Sequence, residues 1–495
     1  KPLREKESGK KYGIDGPISV YFNNKSLNDK GLNDGTINAN KGDQVWAAVG
    51  MRRGGRNYYG LDITKPDSPS LMWTIKGGEG KFKNLGQTWS KPQVAYIKSK
   101  GNTPLLIFGA GYDINKDSND ADKANIKTKD KVGRGIYIVD AKTGEKVWIL
   151  APKGDASKDA EFKGEYSIAA DVTLLDSNYD GYTDRIYAAD TGGGIWRIDI
   201  SDEGEFSHFQ LADLGSDADR RFFYKPVVAR TMFSKVTITD DGVVTRLDTP
   251  YDAIVIGSGN RSNPNGAGTA DELFMIRDEN TVTQSFTDKE PAAIKPANLM
   301  DMNDDPFESA LSNKAGFIEL EAELGGKFGG WRYRLAAGEK SLAAPTVVGG
   351  VAYFTSFTPT LESSIKNQCS LSGGGGSLYA FHLHYGTKVY DKLKFDTGNE
   401  VPDTPQLYFG SSCADSDGNG MCDDNPKEEV KSQFYLIGPG IKGENPLQPL
   451  EITGPGLKVV DGKIQLVKDK ALGFGFKTQQ TYIYKREEND EIKSN

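Results

Sequence analysis

The 495-residue chain is short of most side chains that do chemistry. It has three histidines and three cysteines, Cys369, Cys413 and Cys422. So few cysteines give no dense disulfide framework, and spacing leaves all three pairings open: 413 with 422, 369 with 413, or 369 with 422. They are compatible with export without establishing it. There is no HExxH, GxSxG or phosphate-loop pattern, so the common signatures of zinc proteases, serine hydrolases and nucleotide enzymes are missing. No apolar run reaches the length of a membrane-spanning helix. Residues 1–13 are polar and carry no signal-peptide pattern. Positive charge is not in excess: the net charge is −8, with the acid in short clusters. That disfavours a nucleic-acid backbone as partner and favours cations.

Glycine is plentiful at 58 residues, with 22 tyrosines and many short apolar runs, which suits a β-rich protein with many turns. Its densest chemistry lies at 176–184, DSNYDGYTD. Counting Asp176 as position 1, side-chain oxygens fall at positions 1, 3, 5 and 9, on Asp176, Asn178, Asp180 and Asp184. Gly181 stands at position 6, where a chain wrapping an ion turns sharply, and Tyr182 offers its carbonyl at position 7. This is the ligand order of an EF-hand calcium loop. Position 12 is Tyr187 where that loop has glutamate, so Asp184 would supply the bidentate carboxylate.

Residues 172–175 and 185–189 read as strands instead of helices, which makes this an EF-hand-like loop between strands. Three carboxylates within about 5 Å repel by a few kcal/mol per pair at an effective dielectric of roughly 20. With oxygen ligands only, Ca2+ is the expected cofactor, at micromolar to millimolar affinity. The competing reading is an acidic surface turn.

A second candidate occupies 415–423, DSDGNGMCD. Asp415, Asp417, Asn419 and Asp423 take positions 1, 3, 5 and 9, Gly420 position 6, and the Met421 carbonyl position 7. Position 12 is Pro426, and Cys413 and Cys422 flank or enter the loop. The series Asp113, Asn115, Asp117 fails at positions 6 and 9 and reads as a solvated turn; Asp301, Asn303, Asp305 runs into Pro306. His382 and His384 alternate on one strand face with no acid or cysteine nearby, and read as structural. Glycines 192–194 and 373–376 read as turns, since no helix pattern follows to make a phosphate cradle.

One phrase recurs: an apolar strand ending in Asp, a tight turn, then a second strand, often with tryptophan. It is seen at 58–75, 136–150, 186–200 and 378–391, with a degenerate copy at 273–286. A further strand signal precedes each, at 45–49, 105–108, 172–175, 253–256 and 345–348. Recurring strand pairs with inserts predict an all-β propeller, seven-bladed when the remaining units are placed in the amino terminus, 227–247 and 434–484. Its strands would be buried on both faces, and Trp46, Trp73, Trp148 and Trp196 would pack between blades. A pair of β-sandwiches or a solenoid is the competing architecture. The expected organisation is one domain over 1–485, interrupted by loops at 112–131, 287–324 (helical near 310–324), 359–377 and 394–426, with a charged tail at 486–495.

The phrase DAKTGEKVW at 140–148 resembles the repeats of quinoprotein dehydrogenases, which pair a propeller with calcium and typically a vicinal cysteine pair; no two cysteines are adjacent here. A fuller resemblance is to the carboxy-terminal domain of the PilY/PilC family of type IV pilus tip proteins. It rests on YGIDGP at 12–17, GGRNYYGLDITKPDSPSLMW at 54–73, LGQTWSKPQV at 85–94, IFGAGYD at 107–113, IYIVDAKTG at 136–144 and DSNYDGYTDRIYAADTGGGIWRIDI at 176–200. It covers roughly the first 200 residues well and the rest loosely. The resemblance implies a modified seven-bladed propeller with an EF-hand-like loop, and carries the ligand roles onto Asp176, Asn178, Asp180, the Tyr182 carbonyl and Asp184. With no positive catalytic signature the chain is expected to be non-enzymatic, and the expected place is extracellular, at the cell surface, pilus tip or outer membrane. The implied roles are pilus assembly, calcium-dependent control of retraction, and adhesion. The implied partners are pilin or minor pilins and a host or abiotic surface. No RGD tripeptide occurs.

Overall fold

The computed structural model describes residues 12–25, 27, 35–117, 129–215, 220–266, 270–360, 373–390, 392–412, 431–437, 456–460 and 463–467, with backbone alone for 407–412 and the last three segments. Strands follow one another into local sheets. β1 (Ile18–Asn23), β2 (Gln44–Gly50), β3 (Asn57–Asp62) and β4 (Ser70–Lys76) form the first. β5 (Gln93–Ala95), β6 (Leu105–Gly109), β7 (Ile136–Asp140), β8 (Lys146–Ala151) and β9 (Ala160–Glu161) form the second. The third is β10 (Thr173–Leu175), β11 (Arg185–Ala189), β12 (Gly194–Ile200) and β13 (Phe206–Asp213).

The fourth sheet has β14 (Val227–Ile238), β15 (Val244–Gly257), β16 (Glu272–Asp278) and β18 (Gly330–Arg334), with β17 (Met300–Asp301) at its edge. The fifth is β19 (Thr346–Val348), β20 (Val351–Pro359), β21 (Gly374–His382) and β22 (Lys394–Gly398). Two hairpins follow, β23 (Gln406–Ser412) with β24 (Lys431–Ile437), and β25 (Gly456–Val460) with β26 (Lys463–Val467). Apart from the parallel edge strands β9 and β17, every pairing is antiparallel between neighbours in the chain or across an insert, so register is set locally.

Alternation along each strand decides how the sheets stack. On β6, Leu106 and Phe108 join Trp46, Tyr58 and Trp73 of the first sheet, while Leu105 and Ile107 join Ile186, Trp196 and Ile198 of the third. Tyr187 and Ile195 then meet Ile254 and Phe274 of the fourth sheet, and Met275 and Trp331 meet Phe354 and Phe381 of the fifth. Each inner sheet thus buries apolar side chains on both faces, the burial expected of stacked blades. The residues leading into the first strands converge. Pro17, Trp89, Asp171, Lys225, Ala344 and Thr404, ahead of β1, β5, β10, β14, β19 and β23, line one cavity of about 790 Å³. Successive sheets stacked face to face, with their first strands around a common cavity, make a propeller-like body.

Tryptophans act between sheets: Trp46, Trp73, Trp148 and Trp196 as the sequence suggests, and Trp331 in addition. Trp73 Nε1 donates to the Ala141 carbonyl in the second sheet (3.0 Å), and Trp331 Nε1 to the Leu383 carbonyl in the fifth (2.9 Å). Each indole lies on a left-handed glycine three residues past its acceptor, Gly144 (φ 70°) or Gly386 (φ 64°). A Cβ there would sit 2.8 Å from Trp73 or 2.9 Å from Trp331. Gly144→Ala and Gly386→Ala are each expected to cost about 1–3 kcal/mol in denaturant titrations. Gly154→Ala, where an added Cβ would meet nothing within 4 Å, is the neutral control.

Several sequence expectations shift in detail. Past β21, residues 383–390 turn and touch back through a Phe381–Lys388 bridge and the His382 amide's bond to the Thr387 carbonyl (2.7 Å), and the paired strand is β22. The copy at 273–286 has one strand, β16, whose partner β18 arrives only after the insert. That insert carries α1 (Pro306–Ala310) and α2 (Lys314–Lys327), matching the helical reading of 310–324. Glycines 374–376 are strand, not turn: a Cβ on Gly376 would come within 2.5 Å of Thr397 Oγ1, so close strand packing explains the glycine. The polar stretch 394–426 likewise contains β22 and β23, because edge strands tolerate polar outward faces.

Candidate metal centre

The 176–184 loop connects β10 to β11, so its ends are pinned by the pairing Leu175↔Arg185. Inside it, the chain curls around the Asp176 carboxylate. The Asp180 amide donates to Asp176 Oδ1 (3.1 Å) and the Gly181 amide to Oδ2 (2.8 Å). Asn178 Oδ1 also accepts from the Asp180 amide (3.1 Å), and Asp180 Oδ1 from the Tyr182 amide (3.0 Å). Two left-handed residues produce this curl, Gly181 (φ 88°) and Tyr179 (φ 62°). Tyr179 is a non-glycine residue in a disfavoured region, with its ring in solvent.

Asp184 is turned elsewhere. Its two oxygens accept from the Ser177 amide, both at 3.1 Å, and Oδ2 accepts from the Ser177 hydroxyl (2.5 Å). Among the described residues no three His, Cys, Asp or Glu side chains converge as a ready metal cluster, and this loop is no exception. The donor set is all oxygen and suits a hard cation. For Asp184 to join it, the carboxylate would have to leave Ser177. Partial burial pushes the Asp180 carboxyl up, but the Tyr182 amide, the Lys98 ammonium and the Asn178 amide outweigh it and hold it below its ordinary range.

The loop rests on a buried ionic network that sequence reading missed. Arg185 and Tyr187 on β11, and Arg197 and Asp199 on β12, point toward the fourth sheet. There Asp252 and Asp278 stand opposite each other on β15 and β16. Arg185 Nη1 donates to Asp252 Oδ2 (2.5 Å), and Arg197 Nη1 to Asp278 Oδ2 (2.7 Å). Arg197 also grips Asp199 through Nε (2.8 Å) and Nη2 (2.7 Å). Arg230 binds Asp252 Oδ1 through Nε (2.9 Å) and the Ser177 carbonyl through Nη1 (2.5 Å). Ser177 Oγ meets Thr283 Oγ1 (3.1 Å), which also accepts from Arg185 Nη2 (3.2 Å). Ser177 therefore touches both the loop's last carboxylate and the contact between the third and fourth sheets. The signal was charge at period 2 within apolar strands.

The second loop, 415–423, and all three cysteines lie outside the described residues. Asp113 is no solvated turn: it is buried and accepts from the Asn115, Lys131 and Val132 amides, stapling the base of an insert. Asp305 caps α1 by accepting from the Glu308 amide (3.1 Å). At glycines 192–194 the amides of Gly192 and Gly194 are taken by Asp190 Oδ1 (both 2.8 Å), whose carboxyl burial pushes up to about 6.

The rings of His382 and His384 lie 5.6 Å apart, and Tyr251 Oη shares a 2.7 Å hydrogen bond with His384 Nδ1. Burial, then repulsion from His384, pulls His382 down to about 3; burial, then Arg277, pulls His384 down to about 4. Both values lie below the unfolded value near 6.5, so the unfolded chain takes up protons first. The pair's contribution to stability is full above about pH 6.5 and falls as acid is added toward pH 4. Imidazole NMR shifts should stay those of neutral rings down to pH 5; a midpoint near 6.5 would contradict this packing.

No protein-family model matches the chain. In sequence it is 33% identical over 164 residues to a type IV pilus biogenesis factor, PilY1, of Pseudomonas aeruginosa UCBPP-PA14, covering 32% of this chain and 12% of that protein. It is 23% identical over 361 residues to a PilY1 homolog of Xylella fastidiosa Temecula1, covering 68% of this chain and 22% of that protein. The matches thus span less than a quarter of these relatives' lengths. In structure it aligns with the crystal structure of the Pseudomonas aeruginosa PilY1 C-terminal domain at a TM-score of 0.50 and 15% identity, over 86% of this chain and 85% of that one.

Proposed function

We propose, for a chain related in sequence to the PilY1 pilus biogenesis factors and in fold to a PilY1 C-terminal domain, a calcium-binding role in pilus assembly and in calcium-dependent control of retraction, with adhesion to a host or abiotic surface. The observation that carries the calcium reading is the curl at 176–184, which holds Asp176, Asn178 and Asp180 oxygens around one turn. Asp176, Asn178, Asp180, Asp184 and the Tyr182 carbonyl would hold the ion. A bound divalent cation supplies about two positive charges against three carboxylates. Asp184 would give up its bonds from Ser177, and Ser177 would then be free to shift against Arg230 and Thr283 at the sheet contact. The 415–423 loop is a second proposed site.

We read the body as seven-bladed. The hairpins β23–β24 and β25–β26 would contribute to the sixth and seventh units. The first sheet's outer face, where Ile18, Val20 and Phe22 are exposed, would receive the last. Against the quinone dehydrogenase alternative stands the absence of adjacent cysteines in the sequence. Among the described residues no helix is long and apolar enough to cross a membrane.

Calorimetric titration with calcium tests the reading. The wild-type chain should bind in the micromolar to millimolar range, Asp176→Ala should lose one site, and Asp423→Ala should report on the other. Bacteria carrying Asp184→Ala should extend and retract pili abnormally. Lost binding with normal retraction would reduce the ion to a structural role.

A further inference from the structure

Lys98 opens the single helical turn Lys98–Lys100 between β5 and β6 of the second sheet, 82 positions before Asp180. Its ammonium lies 3.2 Å from Asp180 Oδ2 in the loop and 2.6 Å from Asp202 Oδ2 in the turn between β12 and β13. A proposed ligand oxygen is thus already paired with a positive charge from another sheet. The Thr183 amide donates to the Tyr96 carbonyl (2.7 Å), which keeps the loop beside the segment that carries Lys98. The lysine side chain is 44% exposed and its stem flexible, so the ammonium can change partner without moving backbone.

We propose that Lys98 is a built-in competitor cation for the 176–184 loop: its ammonium holds Asp180 while the loop lacks a divalent ion and passes wholly to Asp202 when one enters, so that it sets the calcium concentration at which the loop fills. The inference rests on the reading of this loop as a calcium site. An ammonium left within about 5 Å of a divalent ion would repel it, and the two cations cannot share Asp180 Oδ2 at no cost. Asp202 gives the displaced charge a seat. It also makes the exchange a redistribution between two carboxylates, not the exposure of a lone ammonium. Competition from a solvent-screened pair of this kind changes a binding constant by up to about fivefold.

Calcium titrations of the intact chain at one ionic strength test this with Lys98→Met, Asp202→Asn and the double variant. Lys98→Met should bind calcium about fivefold more tightly than wild type. Asp202→Asn should bind more weakly, because Lys98 then has only Asp180, and most of that loss should vanish in the Lys98→Met background. Both positions are solvent-exposed, so folding should be retained, which circular dichroism checks. Equal or weaker binding by Lys98→Met would overturn the role of Lys98 while leaving the loop reading intact. An Asp202→Asn loss that persists undiminished without Lys98 would overturn the hand-over. No binding at the 176–184 loop by any of the four proteins, read in the Asp423→Ala background, would overturn the loop reading and this inference with it.

Discussion

Asp252→Ala is expected to cost about 3–5 kcal/mol of folding stability, the usual result of removing one partner from a buried ion pair. Asp252 is fully buried and receives Arg185 at 2.5 Å and Arg230 at 2.9 Å, and Arg185 is itself fully buried. Without the carboxylate, Arg185 keeps the Thr281 carbonyl and Thr283 hydroxyl but loses its compensating charge, since Asp199 stands off at 3.6 Å and is committed to Arg197. The cost is desolvation: an unpaired guanidinium cannot shed its charge as a lysine can. Asp252→Asn should be milder, because it keeps a hydrogen-bond acceptor. Urea titration reads both, and a loss under about 1 kcal/mol for Asp252→Ala would mean that water reaches Arg185.

Calcium at about a hundred times its dissociation constant is expected to stabilise the chain by about 2.7 kcal/mol, seen as a higher thermal midpoint. Asp176→Ala should remove the part of the shift that this loop supplies. This residue is the most informative because it does two jobs. Its oxygens order the turn through the Asp180 and Gly181 amides, and they would supply two of the loop's negative lone-pair sites. Asp176→Asn separates the jobs. It keeps an acceptor for one amide and removes the charge, so it should leave the metal-free midpoint nearly unchanged and still abolish most of this loop's part of the calcium shift. If Asp176→Asn kept the full shift, the charge at position 1 would be irrelevant to binding.

What could be read from the sequence was local. The loop's oxygens lie within nine residues, and the strands on either side show their apolar runs, so both the curl and its place between β10 and β11 were legible. Trp73, Trp148 and Trp196 were legible because each sits in a repeated phrase; Trp331 lies outside those phrases and was not. The ionic network was not. Its members come from β11, β12, β14, β15 and β16, and only the pairings Arg185↔Asp199 and Asp252↔Asp278 show which charges meet. Lys98 was invisible for the same reason: nothing near residue 98 in the chain marks it as a neighbour of Asp180. The bond from Ser177 to Asp184 was missed because hydrogen bonding within a loop competes with any ligand role, and spacing alone cannot rank the two. The later sheets were blurred by the insert that separates β16 from β18 and by the turn that separates β21 from β22. A strand pattern searched for in the next few residues then picks the wrong partner.

A crystal structure of the chain grown with millimolar calcium tests the central claim most directly. The expected result is one ion bonded at about 2.3–2.6 Å to oxygens of Asp176, Asn178, Asp180 and Asp184 and to the Tyr182 carbonyl, with Asp184 released from Ser177. Density for water alone in the loop, with Asp184 still accepting from Ser177, would contradict it.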